Sequence, residues 1–487
     1  MAGWHAADRA GPRARRRGGP GAADHRRPAG RAGTLRDEAR EQLARLDIHA
    51  PDTEKAEAWR LEDEASALDR EAAGSEARYL QRLQAALTLS PDLEECHDLL
   101  ADHHQGHAER ARERGDADAA AVHRLLVRTH DRSGRHVAWL ARRGYLSLEV
   151  ATPGARIALH RHRTTMRREV PEFIGFLTPP LRRHLLEAGS YLLVISAPGH
   201  ADVRLPVRVE AGRDVDLCPP GAARPSPIAL PAAGAIPPSM ALVPGGWFLA
   251  GGDPAATDAL PARRLWVDDF VMERDPVTIG AYARFLDACA AAGEDVEPLI
   301  PRDRHGPRLL QATPAGFTLL DAEPDWPVAL VSWTAAVRYA AWRSAELGLA
   351  CRLPHDLEWE KAARGVDGRR WPWGDHAEPG WARVAGSSAG PPSPAPVGEA
   401  RSDVSVYGVR GLVGNIRDWC ANTYDRRGPA DATRVDPAGD DGGDPRVIRG
   451  GNWGASLVQS RPAGRYAAPA ASQYLAVGFR LVASWPP

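Results

Sequence analysis

The chain has 487 residues and a formal net charge of −1, which exceeds what one hydrophobic core serves and predicts two or three domains. The near-neutral balance removes the global electrostatic case for nucleic acid or an anionic membrane, and no apolar run reaches the ~18 residues of a membrane span. Cys96, Cys218, Cys289, Cys351 and Cys420 are odd in number and lack CxxC spacing. That argues against a disulfide framework or a thiolate zinc site and predicts a reducing, cytoplasmic interior, and an N-terminus with arginines but no apolar run after them predicts no secretory signal.

Residues 1–33 are Ala, Gly, Pro and Arg with almost no large aliphatics, so disorder is expected there. Residues 34–137 are rich in Ala, Leu, Glu and Arg, and Leu80, Leu83 and Leu87 recur at helical spacing. The run Ala85 to Asp92, followed by Leu99-Leu100-Ala101, is similar to a junction between tetratricopeptide repeats, with Pro91 opening the next helix. His103, His104 and His107 have no carboxylate at ligand spacing in sequence and are read as a solvated helix face.

Residues 138–217 switch to a period of two. Leu146-Ser147-Leu148-Glu149-Val150 and Val203 to Val209 alternate as half-buried strands do, and Pro153-Gly154 marks a turn. With Gly189-Ser190-Tyr191 and Pro198-Gly199-His200, the pattern resembles the PEGA domain, a small β-sandwich used for protein interaction or as a spacer. Seven prolines among alanines over 218–238 predict an extended, semi-rigid linker. Residues 239–487 form the last predicted domain, which holds twelve of the fifteen tryptophans. Large aromatics fill cores where helices and strands are sparse.

Within that domain, Thr278 precedes a helical run through Tyr282, Phe285 and Leu286, and Ser332-Trp333 precedes another through Ala340 and Trp342. In Arg352-Leu353-Pro354-His355-Asp356-Leu357-Glu358-Trp359-Glu360-Lys361-Ala362-Ala363-Arg364-Gly365, Glu358 stands where a capping-box glutamate reaches back and Gly365 where a helix ends. Trp359, Ala362 and Ala363 make one apolar face. Further on come Val413-Gly414-Asn415-Ile416-Arg417-Asp418-Trp419, Arg449-Gly450-Gly451-Asn452-Trp453, Arg461, Arg465 and Gly478-Phe479-Arg480.

These segments resemble the formylglycine-generating (sulfatase-modifying factor) enzymes. The resemblance implies a multidomain α+β chain: a helical N-terminal segment, a small β-sandwich and a C-terminal domain related to the C-type lectin fold. Members oxidise a substrate cysteine with two copper(I)-binding thiolates five residues apart. The matching positions here hold Ala455 and Ser460, which cannot supply the soft ligands copper(I) selects. Copper is therefore not expected. Asn452, Trp453, Ser460, Arg461 and Arg465 are expected to cluster in the vestigial groove, and Arg449 and Arg480 to be structural. The family's calcium loop falls on Gly414, Ile416 and Asp418, which leaves calcium as a candidate cofactor. Gly411 stands where the family has an upstream asparagine ligand, and Arg383 stands in the second calcium segment, which is expected to be lost.

Two readings of function follow. The first is a non-catalytic binding or regulatory protein. Its order of domains is similar to the C-terminal part of bacterial serine/threonine kinases, with a protein kinase, another protein or a small molecule as partner. The alternative is a formylglycine-generating oxidoreductase acting on a protein cysteine. No kinase signature occurs in the chain.

Overall fold

The computed structural model describes residues 26–44, 46, 51–113, 116–314, 316–426, 428, 433–437 and 442–486. It divides into two compact units, 1–140 and 141–487. No helix among the described residues is long and apolar enough to cross a membrane.

The first unit is helical: α1 (Arg26–Ala44), α2 (Asp52–Leu89), α3 (Glu94–Glu113) and α4 (Ala117–His130). Most of the expected disordered segment lies outside the described residues, but the helix starts at Arg26 rather than after residue 33. Tertiary packing overrides the poor composition there: Ala32, Leu35 and Ala39 bury against Ala58, Leu61 and Ala65 of α2. Pro91 does not open α3. It lies in a turn after Leu89, and α3 begins at Glu94. A second small cluster of Leu83, Cys96 and Leu100 joins α2 to α3.

The second unit begins with two sheets. One pairs β4 (Leu181–Glu187), β1 (Arg143–Leu148) and β7 (Asp214–Val215); the other runs β3 (Arg168–Leu177), β2 (Arg156–Thr165), β5 (Gly189–Ser196), β6 (Val203–Val209). They share a core of Leu146, Leu148, Ile157, Leu193, Ile195, Leu205 and Val207, so this part is a sandwich. The segment taken as a linker is in part structural. Ile228 bridges Val150, Ala232 bridges His200, and Leu230 is buried in the sandwich core with its amide donating to Thr152 Oγ1 at 2.9 Å. Its few aliphatics, scattered among prolines, are what the sandwich buries.

The sandwich also packs on the C-terminal part. Leu192 and Val194 on β5 point away from the sandwich core into the core of the next domain. β5 is thus buried on both faces, which its unbroken run Tyr191-Leu192-Leu193-Val194-Ile195 explains. Arg204 Nε donates to the Val406 carbonyl at 2.8 Å, Arg208 Nη1 to that of Asp367 at 2.7 Å, and the Glu169 amide to that of Trp373 at 2.7 Å.

The C-terminal part is built on two four-stranded sheets. In the first, β8 (Met240–Val243) pairs with β9 (Phe270–Glu273), which pairs with a last strand over Val482–Ser484 and through it with Cys351–Arg352. The two ends of the domain therefore close one sheet. The second sheet runs Arg465–Ala468, Arg446–Arg449, Arg417–Thr423, Val477–Gly478.

Three helices cover these sheets: α5 (Ile279–Ala291), α6 (Trp333–Leu347) and α7 (Asp356–Arg364). Thr278 and Ser332 cap α5 and α6 by accepting from the amides three residues on. At α7 the capping box forms as its sequence predicts. The Leu357 amide donates to His355 Nδ1 at 3.1 Å, and the His355 amide to Glu358 Oε2 at 2.8 Å. All nine residues of α7 are buried. This short helix is the centre of the domain.

Candidate functional site

A buried helix with alternating charges needs partners, since an unpaired ion there costs several kcal/mol. Asp356 and Glu360, one turn apart on α7, face two arginines of the glycine-rich signature. Arg449 Nη2 reaches Asp356 Oδ2 at 3.2 Å and Glu360 Oε2 at 2.9 Å, and Arg465 Nε reaches Asp356 Oδ2 at 2.8 Å. Arg449 also donates to the carbonyls of Pro462, Ala463 and Gly464, which fixes the chain leading into Arg465. Burial alone would raise the Asp356 carboxyl, but the Arg465 and Arg449 guanidiniums hold it well below the usual carboxylate range.

The five expected groove residues do not line an open cleft. Ser460 is fully buried, and its Oγ donates to the Ser456 carbonyl at 2.9 Å. Arg465 is 1% exposed and committed to Asp356 and to the Asp425 carbonyl. Arg461 forms a double contact with Asp253, at 2.7 and 2.9 Å, beneath the Trp371 ring. Asn452 is buried and accepts from the Gly454 amide, and Trp453 and Arg461 are half-buried. Ala455 is 6% exposed. The closure has a steric cause at Gly451, where an added Cβ would lie 2.0 Å from Ser460 Oγ and 2.2 Å from the Val413 carbonyl. At Gly451 the backbone thus lies against the 456–460 turn, with no room there for a side chain.

Of the two metals implied by the resemblance, copper(I) does not fit these residues. Positions 455 and 460 offer a methyl and a hydroxyl to copper(I), with no thiolate. In the expected calcium loop, the Gly414 carbonyl accepts from the Ile416 amide at 2.9 Å. Asp418 Oδ2 accepts from Arg480 Nε at 2.7 Å and Trp359 Nε1 at 2.8 Å. Arg480 also donates to the carbonyls of Arg410 and Gly411, at 2.8 and 2.9 Å. Arg480 thus meets the charge of Asp418 through Oδ2, while Asp418 Oδ1 is buried with no hydrogen-bond partner among the described residues and is the one carboxylate oxygen of this loop left for a cation. Arg383 holds Ser393 through its side chain, and its backbone packs so closely on Gly414 that a Cβ there would lie 2.4 Å from the Arg383 carbonyl.

Other buried ionisable groups surround this core. Burial pushes Glu273 up to about 7, against the Leu481 amide that donates to it. Asp403, beneath the amides of Leu412, Val413 and Gly414, is pushed up to about 6 by burial. Among the described residues, one surface recess is lined by Asp268, Asp269, Glu358, Arg434 and Trp485, and another lies at the expected calcium segments, lined by Arg383, Glu399, Asp403, Gly411, Gly414 and Asn415.

Sequence reasoning missed Asp356 and Glu360 as the partners of the signature arginines. The signal was present: two carboxylates four apart on a helix whose other face is Trp359, Ala362 and Ala363. It also misplaced the histidines, because their carboxylate comes from another helix. His107 Nε2 lies 2.6 Å from Glu76 Oε1, so His103, His104 and His107 are a packed cluster rather than a solvated face.

Comparison with known proteins agrees with this architecture. Residues 229–485 match the model of the sulfatase-modifying factor enzyme 1-like domain. The formylglycine-generating enzyme of Thermomonospora curvata is 30% identical over 254 residues, covering 44% of this chain and 82% of that protein. The mouse protein named inactive C-alpha-formylglycine-generating enzyme 2 is 30% identical over 260 residues, covering 44% of this chain and 74% of its own length. The serine/threonine-protein kinase Pkn1 of Chlamydia trachomatis is 29% identical over 217 residues, covering 44% of this chain and 33% of the kinase. The chain spans 44% of the length of the Streptomyces coelicolor formylglycine-generating enzyme, at 35% identity over 146 residues and 28% of this chain.

Proposed function

Because the chain belongs to the sulfatase-modifying factor enzyme 1-like family through residues 229–485, we propose that it is a non-catalytic binding and regulatory protein built on that domain. One observation carries the reading. Where the resembled enzymes place their thiolate pair, this chain places Ala455 and Ser460, both buried, and the neighbouring arginines are closed into internal ion pairs. The fold is kept through Arg449, Arg465 and Arg480, and the redox chemistry has no ligand to run on. Two relatives support this direction: one is a vertebrate protein whose name calls it inactive, and another is a bacterial kinase that shares the domain. A protein kinase or one of its targets is the partner we favour, and the recess lined by Asp268, Asp269 and Arg434 is a place where a polar ligand could sit.

The catalytic alternative draws on the relatives named as formylglycine-generating enzymes. It would have to work through Cys289, Cys351 or Cys420. All three are buried, and burial raises each thiol, Cys351 to about 11. Since the thiolate is the copper ligand, burial works against that route. A titration of the reduced chain with copper(I) against a chromophoric chelator tests the proposal. No copper should leave the chelator. Retention of one equivalent by the parent chain, and its loss on Ser460→Ala or Cys420→Ser, would overturn it.

A further inference from the structure

Three donor atoms from two helices meet on the helical unit. Glu76 lies on α2, while His103 and His107 stand four residues apart on α3, which places both imidazoles on one face. Glu76 Oε1 is 2.6 Å from His107 Nε2 and 3.7 Å from His103 Nε2. The three ligand atoms all lie within 4.8 Å of one another. Two donors bound at about 2.1 Å to one tetrahedral ion stand about 3.4 Å apart, so small rotations of these side chains close a shell. The His103 side chain is 7% exposed, whereas Glu76 and His107 are 28% and 27% exposed. One wall of the cradle is therefore protein, and the other is open to a water ligand.

A single hydrogen bond accounts for the Glu76–His107 contact. The turn of a second imidazole nitrogen toward the same carboxylate oxygen is the arrangement of a three-donor cradle. The surroundings hold it in place: the His103 and His107 rings lie 4.5 Å apart, and the His107 ring stacks on His123 of α4 at 4.9 Å.

We propose that Glu76, His103 and His107 bind one borderline divalent transition-metal ion, with water completing the shell. Two imidazoles and one carboxylate suit zinc(II), cobalt(II) or iron(II), whereas calcium and magnesium want all-oxygen shells. The ion ties α2 to α3 across the Pro91 turn, where three apolar residues, Leu83, Cys96 and Leu100, are buried among the described residues and Tyr79, Leu80, Leu87 and Leu99 pack half-buried against them. Binding to the folded state alone stabilises it by mass action. The bound ion is therefore a staple for a helix pair with a thin core.

The test uses the full-length, tag-free chain with zinc(II) and cobalt(II). One equivalent of zinc should bind, raise the melting temperature followed by helical circular dichroism, and be reversed by chelator. Cobalt(II) should give visible absorption bands of a nitrogen- and oxygen-ligated site. Glu76→Gln and His107→Ala should each lose the bands and the thermal shift, and His103→Ala should weaken binding at least tenfold. His104→Ala should keep both signals. Metal-free circular dichroism checks that each variant folds, and the near-isosteric Glu76→Gln decides the matter if a histidine variant does not. Absence of saturable binding by the parent, or unchanged binding by Glu76→Gln, would overturn the proposal. So would loss of binding only on His123→Ala or His130→Ala, because the ion would then belong to the neighbouring imidazole pairs.

Discussion

Replacing Asp356 by alanine attacks the pairing on which the C-terminal core depends. Asp356, Arg449 and Arg465 are each at most 1% exposed, so no water replaces the lost carboxylate. Arg449 keeps Glu360 at 2.9 Å, but among the described residues Arg465 keeps only the Asp425 carbonyl at 2.8 Å and the face of Tyr424. Removing one partner of a buried ion pair costs about 3–5 kcal/mol. In a domain of this size each kcal/mol shifts the melting temperature by about 2–4 °C, which predicts a drop of about 6–20 °C. Tryptophan emission is the natural probe, because twelve of the fifteen tryptophans lie beyond residue 240. The pH dependence adds a second readout. The Asp356 carboxyl is held low in the folded state, so its contribution is present above the unfolded value of about 3.9 and is lost as pH falls through the lower folded value. The variant should therefore lose less stability on acidification than the parent does. A double variant, Asp356→Asn with Arg465→Met, should recover part of the loss, since it removes both charges. An Asp356→Ala chain within about 1 kcal/mol of the parent, with the same acid limb, would refute the reasoning.

Asp418→Ala should cost about 3–5 kcal/mol by stranding Arg480, and added calcium should stabilise neither variant nor parent; a calcium-dependent rise in the parent's melting temperature would reverse the account of this loop. Gly451→Ala should destabilise by at least about 1–3 kcal/mol in urea unfolding, because its Cβ would collide with both Ser460 and the Val413 carbonyl. Glu273 binds its proton more tightly when folded, with a value raised from 4.5 to about 7. Its contribution is thus complete below pH 4.5 and is lost as pH rises through about 7. Glu273→Gln should flatten that fall in stability, and an unchanged pH profile would show that Glu273 is ionised in the folded chain.

Local features of the domain were legible in the sequence, and its closures across distance were not. The capping box at His355 and Glu358, the caps Thr278 and Ser332, and the two-residue period of Leu146 and Leu148 each depend on neighbours within a few residues. Arg449 and Arg480 were legible as structural through the family resemblance, and a fully charged guanidinium held inside a domain must find acceptors. The identity of those acceptors was not encoded locally: Asp356 lies 93 residues from Arg449, and Asp418 lies 62 from Arg480. The cradle at His103 and His107 was misread for the same reason, since Glu76 enters from α2. The docking of the sandwich was written in β5, whose doubly apolar run has no solvent face, but its partner surface at Val406 and Asp367 is more than 150 residues away. Whether the groove is open was not legible, because residue types alone carry no depth. The approach of Gly451 to Ser460 closes it.

The claim that the ancestral chemistry is gone is tested most directly by incubating the full chain aerobically with copper(I) and a cysteine-containing sulfatase peptide, then weighing the peptide by mass spectrometry. With Ala455 and Ser460 in place of the thiol pair, the peptide should keep its cysteine mass at all times. Time-dependent conversion of that cysteine to the formylglycine aldehyde would contradict the account.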